Sequence, residues 1–307
     1  MKLPLTKKTA LILVITLAAV LNFSIFLYAY PQTFTPQASN LSRDFSAYYT
    51  GVYRLFHNPT KIYLDGVQPG DYPIDPLTQT FKYTPSALIL FTPILSLNYQ
   101  NALNAFDIVQ FLSVMVMAFF VYKLVKDKNL FLAVPVVLIV LVNPILISPA
   151  IKYDWTNFMH YRMISLHVQT FSPSYYAGYL LANAHILQTA LIIGALYFGY
   201  ARKPWLSALL FAFGVFDPRV ALFALPLLLW YNRVAIWKFV GGTAIFLAST
   251  NLPFFFYQGI GVTFLQTEVR GNVVSQMYLY DWIPLYAVVA LTIMEVTTVL
   301  WNRRNRL

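Results

Sequence analysis

The chain has 307 residues, of which 59% are hydrophobic and only 10% are charged, whereas a soluble domain carries about 25% charged residues. This composition excludes a water-soluble globule, a disordered chain and a fibrous repeat, and it predicts an all-α polytopic membrane protein. The excess of 21 Lys and Arg over 11 Asp and Glu is typical of basic cytoplasmic loops, so we expect no nucleic-acid partner. Because the chain has no cysteine, disulfides, thiolate nucleophiles and Cys-ligated metals are excluded.

Long apolar runs predict the membrane-embedded helices, since a spanning helix needs roughly 20 apolar residues. The first run, at 9–30, follows three lysines and is long for a signal peptide, so we predict an uncleaved anchor. The other predicted segments are 101–123, 130–149, 175–200, 236–256 and 282–301, a short stretch at 85–97, and a broken pair within 204–232, formed by 205–216 and 220–231 around Asp217-Pro218-Arg219. These runs predict one integral membrane domain, 1–307, with roughly eight membrane-embedded segments.

The distribution of basic residues predicts the orientation of these segments. With both termini in the cytoplasm, most of the basic residues lie on the cytoplasmic side, where the positive-inside rule places them. Three polar segments then lie outside the cytoplasm, at 31–82, 151–174 and 257–281. The first is too long for a simple connector, so we expect it to contain short interfacial helices and functional residues.

Within this first loop, residues 43–55 combine an acid, several aromatic residues and a glycine at helical spacing. Asp44, Tyr48, Gly51 and Leu55 recur at i, i+4, i+7 and i+11 and should share one face of a helix. Asp44 has two interpretations, a helix-start carboxylate or a catalytic base at the mouth of a membrane-embedded cleft.

Two motifs after this helix carry a resemblance to a known family. They are His-Asn-Pro-Thr-Lys-Ile-Tyr at 57–63 and Phe-Lys-Tyr-Thr-Pro at 81–85, the latter opening an apolar run that ends at Pro93. With the acid–aromatic helix they resemble the first outer loop of GT-C glycosyltransferases, such as the catalytic subunit of GPI mannosyltransferase I and bacterial polyprenyl-phosphomannose-dependent mannosyltransferases. Later stretches, at 143–144, 183–185 and 217–219, fit more loosely, so the resemblance covers roughly residues 9–232.

The resemblance implies an inverting transfer of a hexose, with mannose expected, from a polyprenyl phosphate to a lipid or glycan acceptor outside the cytoplasm. It implies that Asp44 is the general base, and that the substrate-binding residues are Tyr48, Tyr49, Lys82, Tyr83, His185 and Arg219. The donor is a lipid-linked substrate, and no cofactor or metal is expected. The chain also lacks a D-x-D or H-E-x-x-H motif and any glycine-rich phosphate loop.

Several of these residues have a structural alternative. Arg219 could pair with Asp217 across the Pro218 break instead of binding phosphate, although ionisable residues inside spans are functional candidates by default. His185 could form a helix–helix hydrogen bond instead of contacting substrate. Asp107 and Glu295 are isolated acids, for which packing or subunit contacts are as compatible with the sequence as a catalytic role. The polar residues of the second outer loop are those of an ordinary solvated loop or of an acceptor site.

The departures from the family pattern favour a second hypothesis. The chain is shorter than these enzymes usually are, an Arg stands where they have a Lys, and a His stands where they have an acid or amide. A non-catalytic GT-C-like subunit that works with a partner membrane protein is therefore the alternative. A transporter is a third hypothesis, but the sequence has no second broken helix pair in a related half.

Overall fold

A computed structural model of the chain describes residues 6–30, 44–64, 68, 81–142, 179, 184–266 and 283–304, and within this part all regular structure is helical. The helices are α1 (Lys7–Ala29), α2 (Asp44–His57), α3 (Pro85–Phe91), α4 (Tyr99–Val125), α5 (Leu130–Leu141), α6 (His185–Tyr200), α7 (Pro204–Gly214), α8 (Pro218–Tyr231), α9 (Ile236–Phe256), α10 (Ile260–Phe264) and α11 (Ile283–Arg304). Short 3₁₀ segments follow α2, α3 and α8, at Pro59–Lys61, Thr92–Ser96 and Arg233–Ala235.

Four of the described helices are long and apolar enough to cross a membrane, namely Lys7–Ala29, Tyr99–Val125, Arg233–Phe256 and Leu285–Arg303. The 21 residues of α9 alone extend about 32 Å, which matches a hydrocarbon core of about 30 Å. Helices α3, α5, α6, α7 and α8 are also apolar but shorter. The chain is therefore an all-α protein with membrane-spanning helices.

The predicted positions agree with α1, α4, α9 and α11, whereas α5 already ends at Leu141 inside the run predicted at 130–149 and α6 begins only at His185 inside the run predicted at 175–200. Helix α9 has the predicted bounds, and α3 with its 3₁₀ extension covers the short stretch predicted at 85–97. The predicted broken pair is α7 and α8, which are separated by Val215–Asp217. Proline begins α3, α7 and α8, where its missing N–H removes no helical hydrogen bond. Residues 143–149 of one predicted run, and 175–178 and 180–183 of the other, lie outside the described residues. The same is true of the whole second outer loop, 151–174.

Helix α6 is at the centre of the bundle, where it packs against α4, α7, α8 and α11. Gly194 of α6 permits the close approach of α7 and α4, because a Cβ there would lie 2.8 Å from Leu210 Cδ1 and 3.0 Å from Phe120 Cε2. Small residues at such contacts are typical of helix packing in membranes. Large apolar side chains of α1, α4, α9 and α11 point outward and are exposed, as lipid-facing side chains are.

The bundle has two ends, and α4, about 40 Å long with its 27 residues, connects them. At one end, which we call the Tyr48 end, residues of α2, α3, α10 and the break between α7 and α8 form one apolar cluster with Phe106 of α4. At the other, the Lys128 end, the turns α4–α5, α6–α7 and α8–α9 come together.

Candidate functional site

The candidate site at the Tyr48 end is built on α2, the helix predicted in the first loop. Three of the four residues predicted to share a face, Tyr48, Gly51 and Leu55, are buried. Gly51 is required by contact, because a Cβ there would lie 2.5 Å from Cδ2 of Phe81. The α2 face therefore rests directly on the Phe81 ring, which brings the 81–85 motif to the helix.

Tyr48 links this motif to the start of α6 through its hydroxyl group. The hydroxyl donates a hydrogen bond to the Tyr83 hydroxyl at 2.9 Å and accepts one from the backbone N–H of Ala184 at 3.1 Å. Its ring stacks on Phe91 of α3, with centroids 4.4 Å apart. The Tyr63 hydroxyl donates to the Tyr83 carbonyl at 3.2 Å. Residues from two first-loop motifs and from α6 thus form one hydrogen-bonded group.

The break between α7 and α8 joins this group through its backbone carbonyls. The Gln188 side chain of α6 donates to the carbonyl oxygens of Gly214 at 2.7 Å and Asp217 at 2.9 Å. The carbonyl of Phe216 accepts from the backbone N–H of Thr84 at 3.0 Å. Backbone polar groups freed by a helix break in an apolar bundle need such donors. The break is therefore held in place by α6 on one side and by the 81–85 motif on the other.

His185 and Asp217 face each other across this junction. His185 Nε2 lies 3.9 Å from Asp217 Oδ2, and both side chains are largely buried. The pair is an ion pair only when the histidine is protonated. Two ionisable groups in one contact, beside a broken helix, are the arrangement expected of a functional polar site inside a membrane bundle.

The two residues with the predicted main roles are in the first turns of helices that form this junction. Asp44 is the first residue of α2, one helical turn before Tyr48, and Arg219 is in the first turn of α8, two residues after Asp217. The side chains of Asp44 and Arg219 lie outside the described part of the structure.

The other two predicted binding residues lie away from this hydrogen-bonded group. The Tyr49 hydroxyl donates to the carbonyl of Leu97 at 3.0 Å, and its ring packs against Tyr99, so it ties α2 to the end of the 3₁₀ segment after α3. Lys82 lies between Phe81 and Tyr83 in the chain, but its own side chain is exposed. The structure therefore brings Tyr48, Tyr83 and His185 together, whereas the Tyr49 hydroxyl bonds to Leu97 and the Lys82 side chain is exposed.

Some structural residues of the site were not singled out in the sequence. The guanidinium of Arg54, 1% exposed, donates from Nη1 to the carbonyls of Lys61 at 2.9 Å and Leu64 at 2.8 Å. It closes the turn after α2 and so fixes where the next residues begin. Asn251 of α9 accepts from the backbone N–H of Ser86 at 3.1 Å and joins α9 to the start of α3. The signal for Arg54 was only that it is the one charged residue between Phe45 and Phe56 of α2.

The isolated acids in the predicted spans have packing partners within the chain. Asp107 is buried in α4, and its carboxylate accepts from Gln110 Nε2 at 3.4 Å. Glu295 of α11 forms a short ion pair with Lys128, 2.6 Å between Nζ and Oε1, and its Oε1 also accepts from the Tyr231 hydroxyl at 2.8 Å. Glu295 therefore has a packing role, and it lies at the end of the bundle opposite the candidate site.

Within the described residues, no three His, Asp or Glu side chains are grouped so that they could hold a metal ion. The helices and their apolar surfaces define a helical integral membrane protein with a polar junction at one end. Comparisons of the chain with protein-family models, with curated proteins and with solved structures find no match.

Proposed function

We propose that this chain is a GT-C-type glycosyltransferase that transfers a hexose, with mannose the expected sugar, from a polyprenyl phosphate to a lipid or glycan acceptor. One observation carries the proposal: the first-loop helix, the start of α6 and the α7–α8 break meet in one polar junction. These are the three regions in which the resemblance places catalytic and phosphate-binding residues. They are far apart in the sequence, so their meeting supports a shared site.

In the proposed reaction Asp44 takes the proton of the acceptor hydroxyl as its oxygen bonds to the anomeric carbon. The bond between that carbon and the phosphate oxygen breaks, and the polyprenyl phosphate leaves with the electron pair. A positioned base of this kind accelerates a reaction by about 10²–10⁴-fold. Attack opposite the leaving group inverts the anomeric centre, so one carboxylate is enough.

The leaving phosphate needs positive charge and hydrogen-bond donors. Arg219 is proposed to bind it by two parallel N–H contacts, and Lys82 as a point charge from the exposed rim. His185, when protonated, adds a third cation 3.9 Å from Asp217. Gln188 keeps the break, and with it the backbone of Arg219, beside α6.

The proposal includes an orientation. Of the cations whose side chains are described, those of the α4–α5, α6–α7 and α8–α9 turns are at the Lys128 end, so we propose that this end and both termini face the cytoplasm. The first loop, 31–82, and the candidate site then face the other side of the membrane, with roughly eight membrane-embedded segments in a GT-C-like arrangement.

The test compares Asp44→Asn with Asp71→Asn, a matched change of another first-loop acid. Each purified variant is reconstituted with polyprenyl-phosphate-[³H]mannose and a membrane extract that supplies acceptors. Transfer is measured as label leaving the donor lipid, and donor binding is measured separately. We expect Asp44→Asn to lose transfer by at least about 10²-fold and to keep donor binding, with Asp71→Asn unaffected.

Two results would contradict the proposal. Equal transfer by Asp44→Asn and the unchanged chain would exclude Asp44 as the base. Donor binding without transfer by the unchanged chain, in every acceptor preparation, would exclude the enzyme and support the alternative, a non-catalytic GT-C-like subunit of a larger membrane complex.

A further inference from the structure

A basic surface lies at the Lys128 end of the bundle, opposite the proposed active site. Four basic residues with exposed side chains occur there on two neighbouring turns: Arg202 and Lys203 between α6 and α7, and Arg233 and Lys238 between α8 and the first turn of α9. Within the described part of the chain, none of the four forms an ion pair with an acid. Their charge is therefore available to a ligand.

The two turns lie against each other, so the four charges belong to one surface. A Cβ at Gly199 would lie 2.5 Å from Asn232 Nδ2, and the rings of Tyr200 and Tyr231 are 5.6 Å apart. The Asn232 side chain also donates to the hydroxyl of Ser207 at 3.0 Å. These contacts fix the α6–α7 turn beside the α8–α9 turn.

Exposed tryptophans surround these charges. Trp230 lies beneath the guanidinium of Arg233, 4.3 Å from the ring centroid, and the same arginine donates to the Trp230 carbonyl at 3.1 Å. Trp205 rests on Gly242 of α9, one turn after Lys238, and Trp237 is 83% exposed. Tryptophan is enriched where the hydrocarbon core meets the headgroups, so we expect this surface at headgroup level.

The backbone of Arg202 adds an independent sign of function. It has φ 58° at the end of α6, a left-handed conformation in which glycine is strongly preferred. A bulky side chain there is unfavourable for the turn itself. An arginine at this position is explained if its charge has a role outside the fold.

The acids at this end do not neutralise the surface. The described ones are Asp127, which pairs with Lys126 at 3.9 Å, and Glu295, which pairs with Lys128 at 2.6 Å. Each acid thus has a lysine of its own outside the four-residue group. The surface keeps its positive charge.

We propose that Arg202, Lys203, Arg233, Lys238 and the tryptophans beside them form a binding site for the phosphate headgroup of an anionic phospholipid. The basic residues pair with the phosphate, and the tryptophan rings lie along the upper acyl chains. Basic pockets between membrane helices bind anionic headgroups in this way, and each basic residue near such a headgroup contributes on the order of fivefold in affinity.

The test measures lipid binding to the purified full-length chain in nonionic detergent by native mass spectrometry, with phosphatidylglycerol and phosphatidylcholine as probes. Arg202→Gln/Lys203→Gln/Arg233→Gln/Lys238→Gln removes the surface charge. The matched control, Lys7→Gln/Lys8→Gln/Lys123→Gln/Arg303→Gln, removes four charges elsewhere. We expect the unchanged chain and the control to prefer phosphatidylglycerol by at least tenfold, and the surface variant to lose that preference.

A single substitution separates binding from folding. Arg202→Gly suits the left-handed backbone, so the unfolding midpoint should stay equal or rise while phosphatidylglycerol affinity falls about fivefold. Three results would overturn the site: equal losses in the surface variant and the control, unchanged affinity in Arg202→Gly, or competition by inorganic phosphate at concentrations equal to the lipid.

Discussion

A largely buried ion pair between Lys128 and Glu295 connects α11 to the α4–α5 turn. Its contribution to the free energy of unfolding can be predicted. Both side chains are only 10% exposed, and their charged atoms are 2.6 Å apart. The Tyr231 hydroxyl donates to the same carboxylate oxygen at 2.8 Å. Lys128→Met removes the cation and leaves the carboxylate with the tyrosine as its remaining partner in this group.

Breaking a buried pair from one side typically destabilises a protein by about 3–5 kcal/mol, because an uncompensated charge remains buried. At 10% exposure some water reaches this pair, so we expect the lower end, about 3 kcal/mol, for Lys128→Met. Replacing both residues, in Lys128→Met/Glu295→Gln, removes both charges and keeps an acceptor for Tyr231. The double variant should therefore be more stable than Lys128→Met.

The assay is SDS-induced unfolding of the purified chain in mixed micelles, followed by tryptophan fluorescence, for the unchanged chain, both single variants and the double variant. The double-mutant cycle should give a coupling free energy of about 1–3 kcal/mol, which is usual for residues in direct contact. If the losses of unfolding free energy in the two single variants simply add in the double variant, Lys128 and Glu295 are not paired. The contact between α11 and the α4–α5 turn would then be wrong.

Three further substitutions test the candidate site. In Gly51→Ala the new Cβ would lie 2.5 Å from Phe81, so α2 must move and the unfolding free energy should fall by about 1–3 kcal/mol, measured in the same SDS titration. Tyr48→Phe leaves the buried N–H of Ala184 without its acceptor and should destabilise the chain by about 1–3 kcal/mol. Tyr83→Phe leaves that hydrogen bond intact and should destabilise the chain less. The two variants are compared by thermal denaturation.

Each substitution has its control. Gly241→Ala adds a Cβ where nothing lies within 4 Å, so it should leave stability unchanged or raise it slightly. An equal loss in Gly51→Ala and Gly241→Ala would argue against the Phe81 contact. A larger effect of Tyr83→Phe than of Tyr48→Phe would mean that the Ala184 hydrogen bond is not the main link to α6.

Much of the helical architecture was predictable because it follows from local patterns. The apolar run at 236–256 predicted α9, and the helical spacing of Tyr48, Gly51 and Leu55 predicted the helix α2, which is buried on most of its surface between Phe45 and Leu55. Asp217-Pro218-Arg219 marked the break between α7 and α8, since two charged residues interrupt the apolar run there and proline is favoured at the first position of a new helix. Each of these depends on residues within a few turns of one another.

The contacts between distant segments were not predictable in the same way. In the sequence Glu295 is an isolated acid, and nothing local to it specifies Lys128, 167 positions earlier, as its partner. The break required hydrogen-bond donors, but several polar residues could have supplied them, and only the packing of α6 selects Gln188. Arg54 is similar, because its carbonyl partners are defined by the turn that it closes.

The most direct test of the central proposal is a structure of the full chain in a lipid nanodisc with a non-hydrolysable polyprenyl-phosphate-mannose analogue. We expect the phosphate beside Arg219, the sugar between Asp44 and the Tyr48–Tyr83 pair, and the polyprenyl chain leaving along the apolar surface of the Tyr48 end. A headgroup bound anywhere else, with Asp44 and Arg219 separated by packed side chains, would contradict it.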